Sequence, residues 1–65
     1  MKHEGWSKAR DIKEYYKACQ EKGIMYSQAK KSLTHIDYEM AAYGDWNLYQ
    51  DAEGNYWESY FSIGD

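Results

Sequence analysis

The sequence predicts an α+β fold, in which two N-terminal helices pack on a small antiparallel sheet that ends in a β-hairpin. Two observations support this prediction. Apolar residues recur at steps of three and four in the first third of the chain, as in amphipathic helices, and two aromatic-rich runs separated by a turn follow near the end. The chain has 65 residues, no proline and no Ser/Gly linker, so we expect residues 1–65 to form a single domain.

The first helix is predicted over about residues 7–22. Charged residues fill the positions between members of an apolar stripe, which is expected to face the core. The stripe consists of Trp6, Ala9, Ile12, Tyr16 and Cys19. Ser7 is expected to cap the N-terminus with its hydroxyl, and Gly23 is expected to end the helix in the left-handed conformation that glycine tolerates.

A second helix is predicted over about residues 27–33, with the Ser27 hydroxyl as its N-cap. Three interpretations compete after it, one of which restarts a helix at Thr34 with Asp37 completing a capping-box-like pair. Apolar residues at every third or fourth position would extend the helix to residue 43, whereas Thr34–Met40 alternates polar and apolar side chains, as in a half-buried strand. We favour the strand because the alternation accounts for Tyr38, which the helical stripe leaves on the wrong face.

The C-terminal hairpin is predicted from strands at about residues 45–50 and 55–62. Between them, Asp51 can accept backbone hydrogen bonds at the start of the turn, and Gly54 can adopt the positive φ of a bulged turn. Alternation along the second strand predicts which side chains face the core. They are Trp57, Phe61 and Ile63.

Three short segments resemble the second half of a winged helix-turn-helix domain of bacterial and phage DNA-associated proteins. They are Gly23-Ile24, then Ala29-Lys30-Lys31-Ser32-Leu33, and Trp46 at the start of a later strand. The resemblance covers about residues 10–62. It implies that the second helix reads DNA and that the hairpin forms the wing. The recognition-helix residues would be Ser27, Gln28, Lys30 and Lys31.

Charge is strongly segregated along the chain. Residues 1–33 hold all eight basic residues and four acids, whereas residues 34–65 hold seven acids and no basic residue, which gives a net charge of −3. A surface of one sign steers ligands of the opposite sign, so this asymmetry predicts charged partners.

Our leading hypothesis is a small non-enzymatic protein that binds a basic protein surface through an acidic, aromatic sheet face. Tyrosine and tryptophan are enriched at interfaces, and a nucleic-acid-binding protein offers a basic surface. In size and charge the chain resembles the small inhibitors of phages and mobile elements. The expected contact residues are Asp37, Glu39, Tyr49, Asp51, Glu53, Tyr56, Glu58 and Tyr60.

The alternative hypothesis is a winged-helix protein that contacts DNA phosphates through its basic helices. Two features weigh against it, namely the acidic turn at residues 51–55 and the presence of a single arginine, Arg10. The expected contact residues are Lys13, Lys17, Ser27, Gln28, Lys30 and Lys31.

Catalysis and cofactor binding are not expected. The single cysteine, Cys19, falls on the apolar stripe without a base placed beside it, and two histidines with one cysteine do not make a zinc set. One cysteine also excludes an intramolecular disulfide, and no segment approaches the ~20 apolar residues that cross a bilayer, so we expect a cytoplasmic protein without membrane contact. An exposed edge strand allows homodimerisation by sheet extension, although Glu39 and Glu58 oppose it.

Overall fold

A computed structural model of the protein describes residues 3–62. The described elements, in chain order, are a 3-10 helix at Glu4–Ser7, strand β1 at Arg10–Asp11, helix α1 at Ile12–Glu21, helix α2 at Tyr26–Lys31, and strands β2 at Thr34–Ala41, β3 at Gly44–Gln50 and β4 at Tyr56–Ser62. The predicted α+β fold is therefore confirmed, with four strands in the order β1-β4-β3-β2. The three long strands are antiparallel, and the two-residue β1 adds a parallel pairing that makes the sheet mixed.

Helix α1 begins five residues later than the sequence predicts. Its N-cap is Asp11, whose carboxylate accepts a hydrogen bond from the Lys13 backbone N–H at 2.9 Å. The prediction that Ser7 is the cap is wrong, because Ser7 belongs to the separate 3-10 helix and Arg10 and Asp11 pair with β4 as strand β1. The predicted end is confirmed, since Gly23 has a φ of 79°.

Helix α2 begins at Tyr26, and the residue at its N-cap position is Met25, which makes no side-chain capping bond. The prediction that Ser27 caps this helix is therefore wrong. The helix ends at Lys31, so its extension to residue 43 is also wrong and the favoured strand is confirmed. Thr, Ile and Tyr in this segment suit a pleated surface better than a helix.

The predicted C-terminal hairpin is confirmed as β3 and β4, joined by the loop at residues 51–55. Gly54 in this loop has the expected positive φ, at 91°. Strands β2 and β3 form a second, tighter hairpin with only Ala42 and Tyr43 between them. A bulge between His35 and Asp37 interrupts the β2–β3 register.

The strand register divides the side chains between two faces, because residues directly opposite each other in an antiparallel pair point the same way. The helical face carries His35, Tyr38, Met40, Asp45, Asn47, Tyr49, Trp57, Ser59 and Phe61. The acidic face carries Asp37, Glu39, Trp46, Leu48, Tyr56, Glu58 and Tyr60.

The two helices cover only one end of the helical face. The ring of Tyr15 in α1 lies 5.3 Å from that of Trp57, and its hydroxyl donates to the Ala29 carbonyl of α2 at 3.4 Å. Trp57 is accordingly buried, as predicted. Phe61, at the other end of the same face, is 63% exposed, so its predicted core position is wrong, and Ile63 lies outside the described residues.

Part of the acidic face is covered by the 3-10 helix, which reverses the burial expected for β2. Asp37 and Glu39 are half-buried, whereas Tyr38 and Met40 are exposed. Leu48, at the centre of this face, has no exposed surface. The predicted alternation of side chains along β2 is confirmed, but the side that carries Asp37 and Glu39 is the more buried one.

Candidate functional site

A groove on the acidic face combines aromatic rings with carboxylates. Its volume is about 470 Å³. Its lining consists of Trp6, Glu39, Met40, Ala41, Trp46 and Glu58. Cross-strand pairing aligns Glu39, Trp46 and Tyr60 in one row across three strands, and places Glu58 opposite Leu48 in the adjacent row. We call this site the acidic groove.

One wall of the acidic groove is formed by Trp6, which the 3-10 helix carries onto the sheet. The indole Nε1–H donates to a carboxylate oxygen of Asp37 at 2.8 Å, and the His3 backbone N–H donates to the same oxygen at 3.3 Å. This approach requires glycine at position 5, since a Cβ there would lie 2.5 Å from the Tyr56 ring. Asp37, which is 31 positions from Trp6 in the sequence, thus anchors the N-terminal segment.

These contacts alter the acidity of Asp37. The hydrogen bond from the Trp6 indole, followed by that from the Tyr38 backbone N–H at 2.8 Å, holds the pKa of Asp37 below its ordinary value. The charged carboxylate is the form that accepts these bonds. Asp37 therefore has a structural role in placing Trp6, in addition to its negative charge.

The opposite side of the groove is aromatic. The Trp46 and Tyr60 rings pack with centroids 4.8 Å apart and an interplanar angle of 47°, and Tyr60 is 44% exposed. An indole face attracts cations through its quadrupole, and a carboxylate accepts charge-assisted hydrogen bonds from ammonium or guanidinium groups. The acidic groove therefore has the chemistry to hold a lysine or arginine side chain.

The structure brings together most of the residues predicted to contact a protein partner. Five of them share the acidic face, namely Asp37, Glu39, Tyr56, Glu58 and Tyr60. Tyr49 instead lies on the helical face, where its ring is 5.3 Å from that of His35. Glu53 is exposed in the β3–β4 loop. Sequence reasoning missed Trp6 and Trp46 as site residues, because their aromatic character indicated a helix stripe and a strand start.

Asp51 organises the β3–β4 loop. One carboxylate oxygen accepts the backbone N–H groups of Glu53 and Asn55, both at 2.9 Å, and the other accepts the Trp57 indole N–H at 3.0 Å. Partial burial raises the pKa of Asp51, but the hydrogen bonds from Trp57, Asn55 and Glu53 outweigh it and hold the pKa below its ordinary value. The predicted turn role of Asp51 is confirmed.

The residues of the nucleic-acid hypothesis divide between two places. Lys13 and Lys17 line a groove of about 540 Å³ between α1 and α2, together with mainly apolar side chains. The other four residues are exposed along α2 and do not line this groove; they are Ser27, Gln28, Lys30 and Lys31. We call this site the helical groove.

The helical groove is walled by two tyrosines. The rings of Tyr16 and Tyr26 lie with centroids 4.7 Å apart. Burial, followed by the hydrogen bond with Tyr26, raises the pKa of Tyr16 to about 12, so the phenol is neutral at physiological pH. Cys19 and Ala29, both buried, lie at the base of the groove.

Within residues 3–62, no set of three or more histidine, cysteine, aspartate or glutamate side chains is arranged to hold a metal ion. In the same part of the chain, no helix has the length and apolar character needed to cross a membrane. Comparison of the chain with protein-family models, with curated proteins and with solved structures gave no match.

Proposed function

We propose that this protein is a small non-enzymatic interaction protein, and that its acidic groove binds a basic segment of a partner protein. The observation that carries the proposal is the convergence of Trp6 and Trp46 with Glu39 and Glu58 around one groove. A lysine or arginine side chain lying there gains a π face and a carboxylate at once.

The surroundings of the groove favour a basic partner. Strands β2, β3 and β4 together contain no lysine or arginine, so the surface that an approaching ligand meets is negative. Such a surface raises the rate of association with a positive ligand and disfavours a negative one. Exposed Tyr60 beside the groove adds aromatic contact area at a small cost in side-chain entropy.

Nucleic-acid-binding proteins expose basic segments of this kind. A chain that occupies such a segment competes with DNA or RNA for it, as an inhibitor of a phage or mobile element would. The buried free thiol of Cys19 suits a reducing, cytoplasmic setting.

The first experiment measures binding of a fluorescein-labelled peptide of alternating arginine and glycine residues by fluorescence anisotropy. Glu58→Gln removes one carboxylate from the groove, and we expect it to weaken binding about fivefold. Glu53→Gln makes the same change of charge in the exposed loop outside the groove, and we expect less than about a twofold effect because exposed, distant charges are screened.

A second variant, Trp46→Leu, removes the π face while keeping an apolar side chain, and is expected to weaken arginine binding further than it weakens lysine binding. Equal losses in Glu58→Gln and Glu53→Gln would mean that only net charge matters, and would refute the groove as the binding site. Asp51 is unsuitable for this test because its carboxylate holds the loop together.

A labelled DNA duplex in the same assay distinguishes the nucleic-acid alternative. Our proposal expects no binding at low salt. Binding that falls steeply with salt and is lost in Lys30→Ala with Lys31→Ala would instead support contact between the basic helices and phosphate.

A further inference from the structure

The exposed apolar side chains of the described residues form two patches of opposite charge. One patch borders the helical groove, where Met25 and Tyr26 are 69% and 62% exposed. The other lies at the end of the sheet that the helices leave uncovered, where Met40 and Tyr43 are 77% and 75% exposed. Clustered exposure of this kind marks interaction sites in soluble proteins.

The helical groove is apolar and positively charged. Ile24, Met25 and Tyr26 line it on the side of the interhelical turn and α2. Lys13 and Lys17 lie one helical turn apart on α1, and no acidic residue is among the lining residues. Its volume of about 540 Å³ is within the range of sites that enclose a ligand.

The second patch belongs to the tight β2–β3 hairpin, whose residues 39–45 we call the hairpin tip. The tip contains two acids, Glu39 and Asp45, and no basic residue. Asp45 is held in place by the Tyr38 hydroxyl, which donates to its carboxylate at 2.6 Å. Tyr43, the one aromatic residue in the tip, lies in the two-residue turn itself.

We propose that the hairpin tip of one copy docks in the helical groove of a second copy, with Tyr43 among the apolar lining residues and Asp45 beside Lys13 and Lys17. Apolar surface meets apolar surface, and the Asp45 carboxylate meets the two lysines, so each copy carries both of the complementary surfaces. The acidic and basic surfaces are carried by the same chain, which makes a second copy an occupant with the required chemistry.

This contact joins two different surfaces, and made reciprocally, with each tip in the groove of the other copy, it closes into a two-fold dimer. Repeated in one direction only, the contact produces a ring or an open chain of copies. The contact is independent of the acidic groove in one testable respect, because Trp46 and Glu58 line that groove and lie outside the hairpin tip.

Sedimentation velocity of the full chain tests the proposal. We expect the weight-average mass to rise with protein concentration up to about 1 mM at about 0.02 M salt, and to return towards the monomer at about 0.5 M salt because charge pairs are screened. Tyr43→Ser, in the tip, and Lys13→Glu with Lys17→Glu, in the groove, should each give a monomer at every concentration. Lys30→Glu with Lys31→Glu changes the charge equally outside the groove and should associate as the unmodified chain does.

Mixing the two non-associating proteins gives the most specific result. The groove of the Tyr43→Ser protein is intact, and the tip of the Lys13→Glu, Lys17→Glu protein is intact, so an equimolar mixture should form a heterodimer and nothing larger. A monomeric mixture, or an unmodified chain that stays monomeric at about 1 mM and low salt, would overturn the proposal. So would loss of association in the Lys30→Glu, Lys31→Glu control, or a groove whose lysines bind duplex DNA while the chain remains monomeric.

Discussion

At the scale of single residues, the carboxylates of Asp37 and Asp51 hold parts of the fold together in addition to carrying negative charge. The Asp37 carboxylate joins the 3-10 helix to the sheet through its hydrogen bond with Trp6. The Asp51 carboxylate accepts hydrogen bonds from the backbone of its own loop and from the Trp57 indole. Each has a lowered pKa because hydrogen-bond donors surround its charged form. Some carboxylates in the acidic half of the chain therefore stabilise the fold as well as supplying negative charge.

Replacing Asp51 with alanine should lower the free energy of unfolding by about 2 kcal/mol, because the loop N–H groups and the Trp57 indole lose a charged acceptor. Urea denaturation followed by tryptophan fluorescence measures the change. Glu53→Ala, in the same loop but exposed, is the matched control and should change stability by less than about 0.5 kcal/mol. Similar losses in both variants would contradict the role assigned to Asp51.

The lowered pKa of Asp51 also predicts a dependence of stability on pH. Its ordinary value is 3.8, so its stabilising contribution is complete above that pH and is lost as pH falls through the lower folded-state value. Asp51→Asn should therefore be less stable than the unmodified chain at neutral pH, and the difference should shrink as pH falls below about 4. A difference in unfolding free energy that stays constant between about pH 6 and pH 2 would contradict this linkage.

At the scale of secondary structure, the chain starts its first long helix where a backbone pairing ends. Residues 10 and 11 pair with β4, and Asp11 then caps α1, so the predicted continuous helix from residue 7 is replaced by the end of the 3-10 helix, strand β1 and a shorter α1. The apolar periodicity of this region was correct for Ile12 and Cys19, which are buried. The predicted helical stripe does not include Trp6, because the 3-10 helix and the turn after it place this residue on the acidic face of the sheet.

The location of the cap is testable with a matched pair of variants. Asp11→Ala should lower the free energy of unfolding by about 1 kcal/mol, since the N–H of Lys13 loses its acceptor and a negative charge is removed from the helix N-terminus. Ser7→Ala should have an effect below about 0.5 kcal/mol, because its hydroxyl makes only an exposed bond to the Glu4 carbonyl. Chemical denaturation of the two variants measures both changes in unfolding free energy. A larger loss of stability in Ser7→Ala than in Asp11→Ala would support Ser7 as the cap.

At the scale of the whole molecule, the protein is a thin plate with principal extents of 36 × 29 × 16 Å. The helices cover one end of one sheet face and the 3-10 helix covers part of the other face, so few side chains are fully enclosed. Leu48, at the centre of the acidic face, is the largest described side chain with essentially no exposed surface. A domain of this size has only a modest stability to lose.

We therefore expect Leu48→Ala to cost about 3 kcal/mol and to leave much of the chain unfolded at ~37 °C. Thermal unfolding followed by circular dichroism measures the loss. Phe61→Ser also removes a large apolar side chain, but Phe61 is 63% exposed and its replacement should shift the midpoint far less. If the two variants lost stability equally, the uncovered end of the sheet would have to be buried in solution.

The amino-acid sequence by itself determined the order of the two helices and the three long strands, the glycine positions that end α1 and shape the β3–β4 loop, and the separation of basic from acidic residues. These features depend on local backbone preferences and on composition. Which side of the sheet is covered was decided only by the tertiary structure. Alternation shows that Asp37 and Glu39 share a face, but the covering of that face depends on where Gly5 and Trp6 are carried by the chain.

The acidic groove illustrates the same limit. Its two tryptophans are 40 residues apart in the sequence, and they come together because Trp6 bonds to Asp37 while Trp46 lies on the neighbouring strand. Local periodicity holds no information on such a contact, since it results from close packing between segments that are distant in the chain. The charge that attracts a partner can be read from the sequence, whereas the surface that receives it is created by folding.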